Sequence, residues 1–218
     1  MNVIFERQYD WAFLPIKKKA DEVDSSIKEL YEDNFRWLRQ NRKKEYCAPW
    51  RVGNELGWYV CSPIDVTIYP LDDFEMSLDP NEMENIHKVL GFKNLWKREN
   101  SYISLKDDWL KLYQFKGKTG SWDTMFIPNG EGTVEWRLGF SIVIPNEYSL
   151  LICPLEENKG YSIPYGVLTS KQLSSMNSNG GVSIAIKPQK ILKICRGEPI
   201  GRIILISTNS IKASHEYK

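Results

Sequence analysis

The chain has 218 residues, room for one large domain or two small ones. Its 42% hydrophobic and 26% charged residues exclude a disordered or collagen-like polymer and disfavour a disulfide scaffold. Lys and Arg number 29 against 28 Asp and Glu, so the net charge of +1 gives no global pull toward nucleic acid or an acidic surface.

At the N-terminus the short stretch Met1–Phe5 meets Glu6, Arg7 and Asp10 at once, which is not a signal-peptide pattern. Tyr9, Trp11, Phe13 and Leu14 then cluster ahead of Pro15. Ser26 and Glu29 fit a capping box, and Val23, Ile27, Leu30, Tyr31, Phe35 and Leu38 recur at helical spacing. Residues 1–45 are therefore expected to form a helical arm packed on a β-rich domain of residues 46–218. A second helix is expected from the Asp79 cap and Pro80 to Gly91, with Met83, Ile86, Val89 and Leu90 on its apolar face. A short third helix is expected to start at Thr169, with Gln172 three residues on.

The rest reads as strands. From Trp58 to Ile68 the even positions are apolar, except Ser62. From Thr133 to Ile144, Val134, Trp136, Leu138, Phe140, Ile142 and Ile144 share one face, a period-two pattern of a half-buried strand. Further strands are expected at Tyr148–Cys153, Val182–Ile186, Ile191–Ile194 and Ile200–Ile206, the last apolar enough to be central. Asn179-Gly180-Gly181 and Arg196-Gly197-Glu198-Pro199 supply turns. Strands follow strands without helices between them, which predicts a mainly β (α+β) fold: an antiparallel sandwich or barrel-like domain.

No apolar run approaches the ~20 residues that span a bilayer, and Cys47, Cys61, Cys153 and Cys195 are too widely spaced for a zinc or redox pair. A cytoplasmic protein with reduced, mostly buried thiols and no membrane contact is expected. The charge is uneven along the chain. Residues 1–45 carry 10 basic and 9 acidic residues (net +1), residues 46–180 carry 12 and 17 (net −5), and residues 181–218 carry 7 and 2 (net +5).

Catalytic signatures are sparse. The two histidines, His87 and His215, form no metal-ligating motif, and no G-x-S-x-G, Walker or dinucleotide fingerprint occurs. Gly117-Lys118-Thr119-Gly120 reads as a turn rather than a phosphate loop. The candidate ligand residues are polar groups in or beside strands. Glu135 and Arg137 share a strand face and could brace each other or present a fork. Arg196, Glu198 and Arg202 surround the Gly-Glu-Pro turn, and an Arg inside so apolar a strand needs a partner, for which Glu198 and Glu135 are available. Trp58 and Trp136 read as core. Trp11, Trp37, Trp50, Trp96, Trp109 and Trp122 lie in less regular segments and are the candidates for exposure, with Trp50 and Trp122 taken as ligand-binding candidates.

Three segments carry a resemblance: Asn54–Pro63 with its Asn-x-x-Gly-Trp start, Val134–Ile144 leading through Tyr148–Pro154 to Ile163–Gly166, and Leu192–Ile200 with its Gly-Glu-Pro turn. Together they resemble an uncharacterised bacterial and phage family, a domain of unknown function. More distantly, the closing turn and apolar strand are similar to the dUTPase and dCTP deaminase β-clip fold. The chain departs from that pattern: Tyr59 or Val60 stands where the catalytic Asp is expected, Arg202 stands near the usual Gln, and no glycine-rich closing motif follows Ile211. The leading expectation is a protein of bacterial or phage origin that binds a small ligand or a protein partner, with no cofactor implied and nucleic acid disfavoured. The alternatives are a nucleotide-binding or nucleotide-hydrolysing β-clip enzyme, and a regulatory protein acting by protein contact.

Overall fold

The computed structural model describes residues 2–17, 48–76, 94–98, 101–105, 109–156, 159–214 and 216–217. The helices expected near residues 23–38 and 79–90, Trp37 and both histidines lie outside the described residues.

In chain order the elements are β1 (Ile4–Arg7), α1 (Ala48–Glu55), β2 (Trp58–Cys61), β3 (Val66–Ile68), β4 (Asp73–Met76), β5 (Asn94–Arg98), β6 (Ser101–Leu105) and the 3-10 turn η1 (Trp109–Leu112). Then follow β7 (Gln114–Lys116), β8 (Trp122–Thr124), β9 (Phe126–Gly130), β10 (Thr133–Arg137), β11 (Phe140–Val143) and β12 (Tyr148–Cys153). The chain closes with β13 (Tyr161–Ser162), β14 (Gly166–Thr169), α2 (Ser170–Ser178), β15 (Ser183–Pro188), β16 (Leu192–Ile194), β17 (Pro199–Ser207) and the 3-10 turn η2 (Thr208–Lys212). Every described strand pairing is antiparallel, as the strand-after-strand sequence requires. The two larger sheets run β14-β12-β17-β2 and β13-β15-β10-β9.

Two long alternating stretches are each split in two, and each split falls at a residue with a physical reason. The exception at Ser62 marks a corner between β2 and β3. Ser62 is fully buried, its N–H donates to the Glu198 carbonyl at 2.9 Å and its own carbonyl accepts from Gly197 N–H at 2.8 Å. Its hydroxyl donates to the Ile64 carbonyl. The second break separates β10 from β11 at Leu138-Gly139, where Gly139 takes φ +73°. A Cβ there would collide with the Trp11 ring, so only glycine lets that indole lie against the backbone. The alternation survives the break: Val134, Trp136, Leu138, Phe140, Ile142 and Ile144 are all buried. The expected single strand is thus two strands in different sheets, β10 pairing with β9 and β15, β11 with β1.

β17 is central, as its apolar sequence implies, lying between β12 and β2. The helix expected at Thr169 is α2, with the Thr169–Gln172 capping box formed in both directions. The Gly117–Gly120 segment closes the β7–β8 hairpin, with Gly117 N–H donating to Ser121 O at 2.8 Å.

Aromatic rings fill much of the core. Phe126 contacts Trp109 at 5.2 Å and Trp136 at 5.1 Å between ring centroids, and a second group stacks Tyr9 on Trp11 at 5.2 Å with Phe115 beside both. Such tilted and stacked pairs each add roughly 0.5–1.5 kcal/mol beyond burial. The tryptophans therefore sort differently from their sequence context. Trp136 is core, but Trp109 is buried too, and Trp11 and Trp96 pack half-buried against the core. Trp58, expected inside, is only half-buried, edge-on to Phe5. Irregular backbone does not mean exposure here, because η1 and the Tyr9–Phe13 segment fold back over the sheets.

Gly57 sets the close approach between β2 and β17. It takes φ +81°, and a Cβ there would overlap the Ile203 carbonyl oxygen. Gly57→Ala is expected to destabilise the fold by roughly 3 kcal/mol or more. Gly120→Ala has a similar φ of +85° but nothing within 4 Å, so it should cost only about 1 kcal/mol. Urea midpoints of the two variants separate steric contact from backbone strain, and equal losses would show that contact with β17 is not what makes Gly57 necessary.

Candidate functional site

The site is organised around Arg202, in the interior of β17, opposite Cys153 on β12 and Tyr59 on β2. A half-buried guanidinium here needs acceptors, and it finds them in backbone carbonyls rather than in Glu198 or Glu135. Its Nε donates to Leu56 O at 2.8 Å and Nη2 to Asn54 O at 3.0 Å, with Gly53 O also within reach of Nη2. These are the last carbonyls of α1 and the residues that follow it, which an eight-residue helix cannot satisfy by itself. α1 has no basic residue in its own last turn, so Arg202 supplies the cation that its dipole favours. The guanidinium also lies 5.8 Å from the centroid of the Tyr59 ring.

Beside this clamp is a cavity of about 390 Å³. Ile16, Pro154, Leu155 and Pro199 give it apolar walls, and Asn54, Tyr59, Glu156, Lys159 and Arg202 bring polar groups to it. Local structure explains the convergence. Ile16 is held by a two-way backbone bridge to Tyr59, at 3.0 and 2.8 Å. Asn54 is buried at the end of α1, its amide donating to Trp50 O at 3.1 Å. Pro154 and Leu155 follow β12 directly, since proline ends the strand.

Glu198 stands behind Lys159. Lys159 Nζ donates to Glu198 Oε1 at 3.0 Å, and Cys195 N–H donates to Oε2 at 3.2 Å across the turn. That turn closes with Glu198 N–H to Cys195 O at 3.0 Å and Gly197 at φ +82°, the positive φ a type II turn needs at its third position. Burial alone would raise the Glu198 pKa, but the Lys159 hydrogen bond, the Cys195 N–H and the Lys159 charge outweigh it and hold the carboxyl below its ordinary 4.5. On the far side of the turn, burial above all, and the charge of Glu198, push the Tyr161 phenol up, while its hydroxyl donates to Ile200 O at 3.0 Å.

The other sequence candidates lie elsewhere. Arg196 is a strut: its N–H donates to Asp65 Oδ1 at 2.9 Å, and Nη1 donates to Trp11 O at 2.7 Å and to Pro63 O. Glu135 and Arg137 do not bind each other. Glu135 accepts from the Ser183 hydroxyl at 2.7 Å, and Arg137 sits 6.0 Å from the Phe115 ring centroid. Trp50 is half-buried on α1, and Trp122 stands 70% exposed on β8. Sequence reasoning misses Lys159, Asn54 and Tyr59 as polar residues lining the cavity. Tyr59 and Asn54 lie in the Asn-x-x-Gly-Trp segment, a usable signal, whereas nothing in the sequence around Lys159 marks it.

Of the described cysteines, Cys61 is buried and its thiol is pushed up to about 11 by burial. Cys153 is raised by burial against the opposing charge of Arg202, and Cys195 is exposed, contrary to the mostly buried thiols expected. Among the described residues no group of three or more His, Cys, Asp or Glu side chains could hold a metal ion. None of their helices is long and apolar enough to cross a membrane.

The site therefore belongs to a mainly β, antiparallel α+β protein with a cavity at the junction of a strand-capped helix and its central strand. No protein-family model and no curated protein matches the chain. Among solved structures it is similar to a mutant of the dUTPase from phage phi11 of S. aureus, at 8% identity and a TM-score of 0.44, over 100% of this chain and 95% of that one. Tyr59 and Arg202 are cross-strand neighbours, and both line the cavity.

Two expectations follow from the geometry. Arg202→Lys keeps the charge but loses the fork that reaches several carbonyls, and should lower stability by about 2–3 kcal/mol in urea unfolding. A loss under about 0.5 kcal/mol would mean that charge alone caps α1. The depressed Glu198 pKa favours the folded state when the carboxylate is ionised, so its contribution is full above 4.5 and is lost as pH falls below that value. Glu198→Gln should therefore be less stable than the parent at pH ~7, by a margin that shrinks steadily as the pH is lowered below 4.5. A difference that persists in acid would point to a packing role instead.

Proposed function

We propose that this chain is a binding protein for a small organic ligand, which it takes into the cavity beside Arg202. The observation that carries this reading is an apolar recess of about 390 Å³ with polar side chains from α1, β2 and β17, together with Glu156 and Lys159, gathered at it. Small-molecule sites have this make-up: apolar walls for the ligand's body and a few placed polar groups for its orientation. The supporting backbone is well fixed, because Gly57, the Arg202 clamp and the Ile16–Tyr59 bridge hold three sides of the recess to one another.

A thermal-shift screen against a small-molecule library tests the reading, with Leu155→Trp as the control that fills the recess. A ligand present at a hundred times its Kd should stabilise the parent by roughly 2.7 kcal/mol, and the shift should vanish in Leu155→Trp although that variant folds. Hits that shift both proteins equally would place binding elsewhere. The same screen includes nucleoside triphosphates with divalent metal; phosphate release that survives Leu155→Trp would replace this reading with a nucleotide-hydrolysing one.

A further inference from the structure

The geometry points to a carboxylate on an otherwise apolar body as the ligand, a deeper statement that rests on the cavity being the binding site. Of the charged groups at the cavity, Arg202 and Lys159 keep donors to offer, whereas Glu156 is an exposed carboxylate that offers only acceptors. Arg202 engages the edge formed by Nε and Nη2 with the carbonyls of Gly53, Asn54 and Leu56, and among the described residues its Nη1 makes no hydrogen bond. Lys159 gives one of its three donors to Glu198 and keeps two. Glu198 is not free to turn toward the cavity, because Cys195 N–H holds its other oxygen. Glu156, the remaining carboxylate, is exposed.

Counted with Glu198, the two cations and two carboxylates cancel, so net charge does not decide the ligand. Donor capacity does. Arg202 Nη1 and the Lys159 ammonium are charged donors at one recess, and a carboxylate offers both oxygens in one plane as acceptors. Ile16, Pro154, Leu155 and Pro199 would cover the apolar remainder. A polyphosphate fits less well: two cations already paired in part would face several negative charges between walls that are largely apolar.

The test compares 1-naphthylacetate with its neutral amide by isothermal titration calorimetry, on the parent chain and on Lys159→Met. Arg202 is left intact because it caps α1. The expected result is that the acid binds the parent about tenfold tighter than the amide, as one charge-assisted contact supplies. Lys159→Met should bring the affinity for the acid down to that for the amide, and its thermal melt confirms that it folds. Equal affinity of acid and amide for the parent would overturn the carboxylate inference and leave the cavity reading standing. An acid preference that persists in Lys159→Met would overturn the role given to Lys159. If neither compound binds, the cavity reading falls together with this one.

Discussion

The contact between Arg202 and the end of α1 is the constraint from which the rest of this region follows. A charged side chain in the middle of a nearly apolar central strand is costly unless its donors are met. Here they are met by the carbonyls that a short helix leaves unsatisfied, so two local deficits cancel in one contact. The cancellation also fixes where α1 sits on the sheet. With α1 anchored to β17 and Gly57 allowing β2 to lie against Ile203, the positions of Asn54 and Tyr59 at the cavity are set.

A second set of contacts holds the N-terminal segment to the same body. β1 pairs with β11, Trp11 lies against Gly139, and the Arg196 guanidinium reaches Trp11 O from the turn before β17. Arg196 and Arg202 are thus alike in kind. Both lie near the Gly-Glu-Pro turn, and both use a guanidinium to satisfy backbone carbonyls far away in sequence. Arg196 ties the turn to the N-terminal segment, whereas Arg202 caps α1 and also lines the cavity.

Much of the fold is legible because it is written in local periodicity. The alternation from Val134 to Ile144 assigns the buried face correctly even across the break at Gly139, and the Ser62 exception falls where β2 turns into β3. The Thr169–Gln172 box and the apolar β17 are readable for the same reason. The candidate site is legible only in part. Arg202 and Glu198 can be picked out because charge beside an apolar strand is conspicuous, but their partners cannot. Carbonyl acceptors have no sequence signature, and Lys159 reaches Glu198 across 39 positions. Aromatic exposure misleads for a related reason: Trp109 and Trp11 sit on irregular backbone, yet tertiary packing buries one and half-buries the other.

The helix cap supplied by Arg202 also has a consequence for synthesis on the ribosome. Leu56 and Arg202 are 146 positions apart, and β17 is the strand that joins β2 to β12 in the sheet. α1 is too short to persist alone in water. While the nascent chain has emerged only through β12, neither its helix cap nor the middle of its sheet exists. β12 and β14 can pair as soon as both have emerged, but β2 keeps an open edge in this sheet until β17 arrives, so its joining comes late, and the interval before it is when that edge is most exposed to aggregation or chaperone capture.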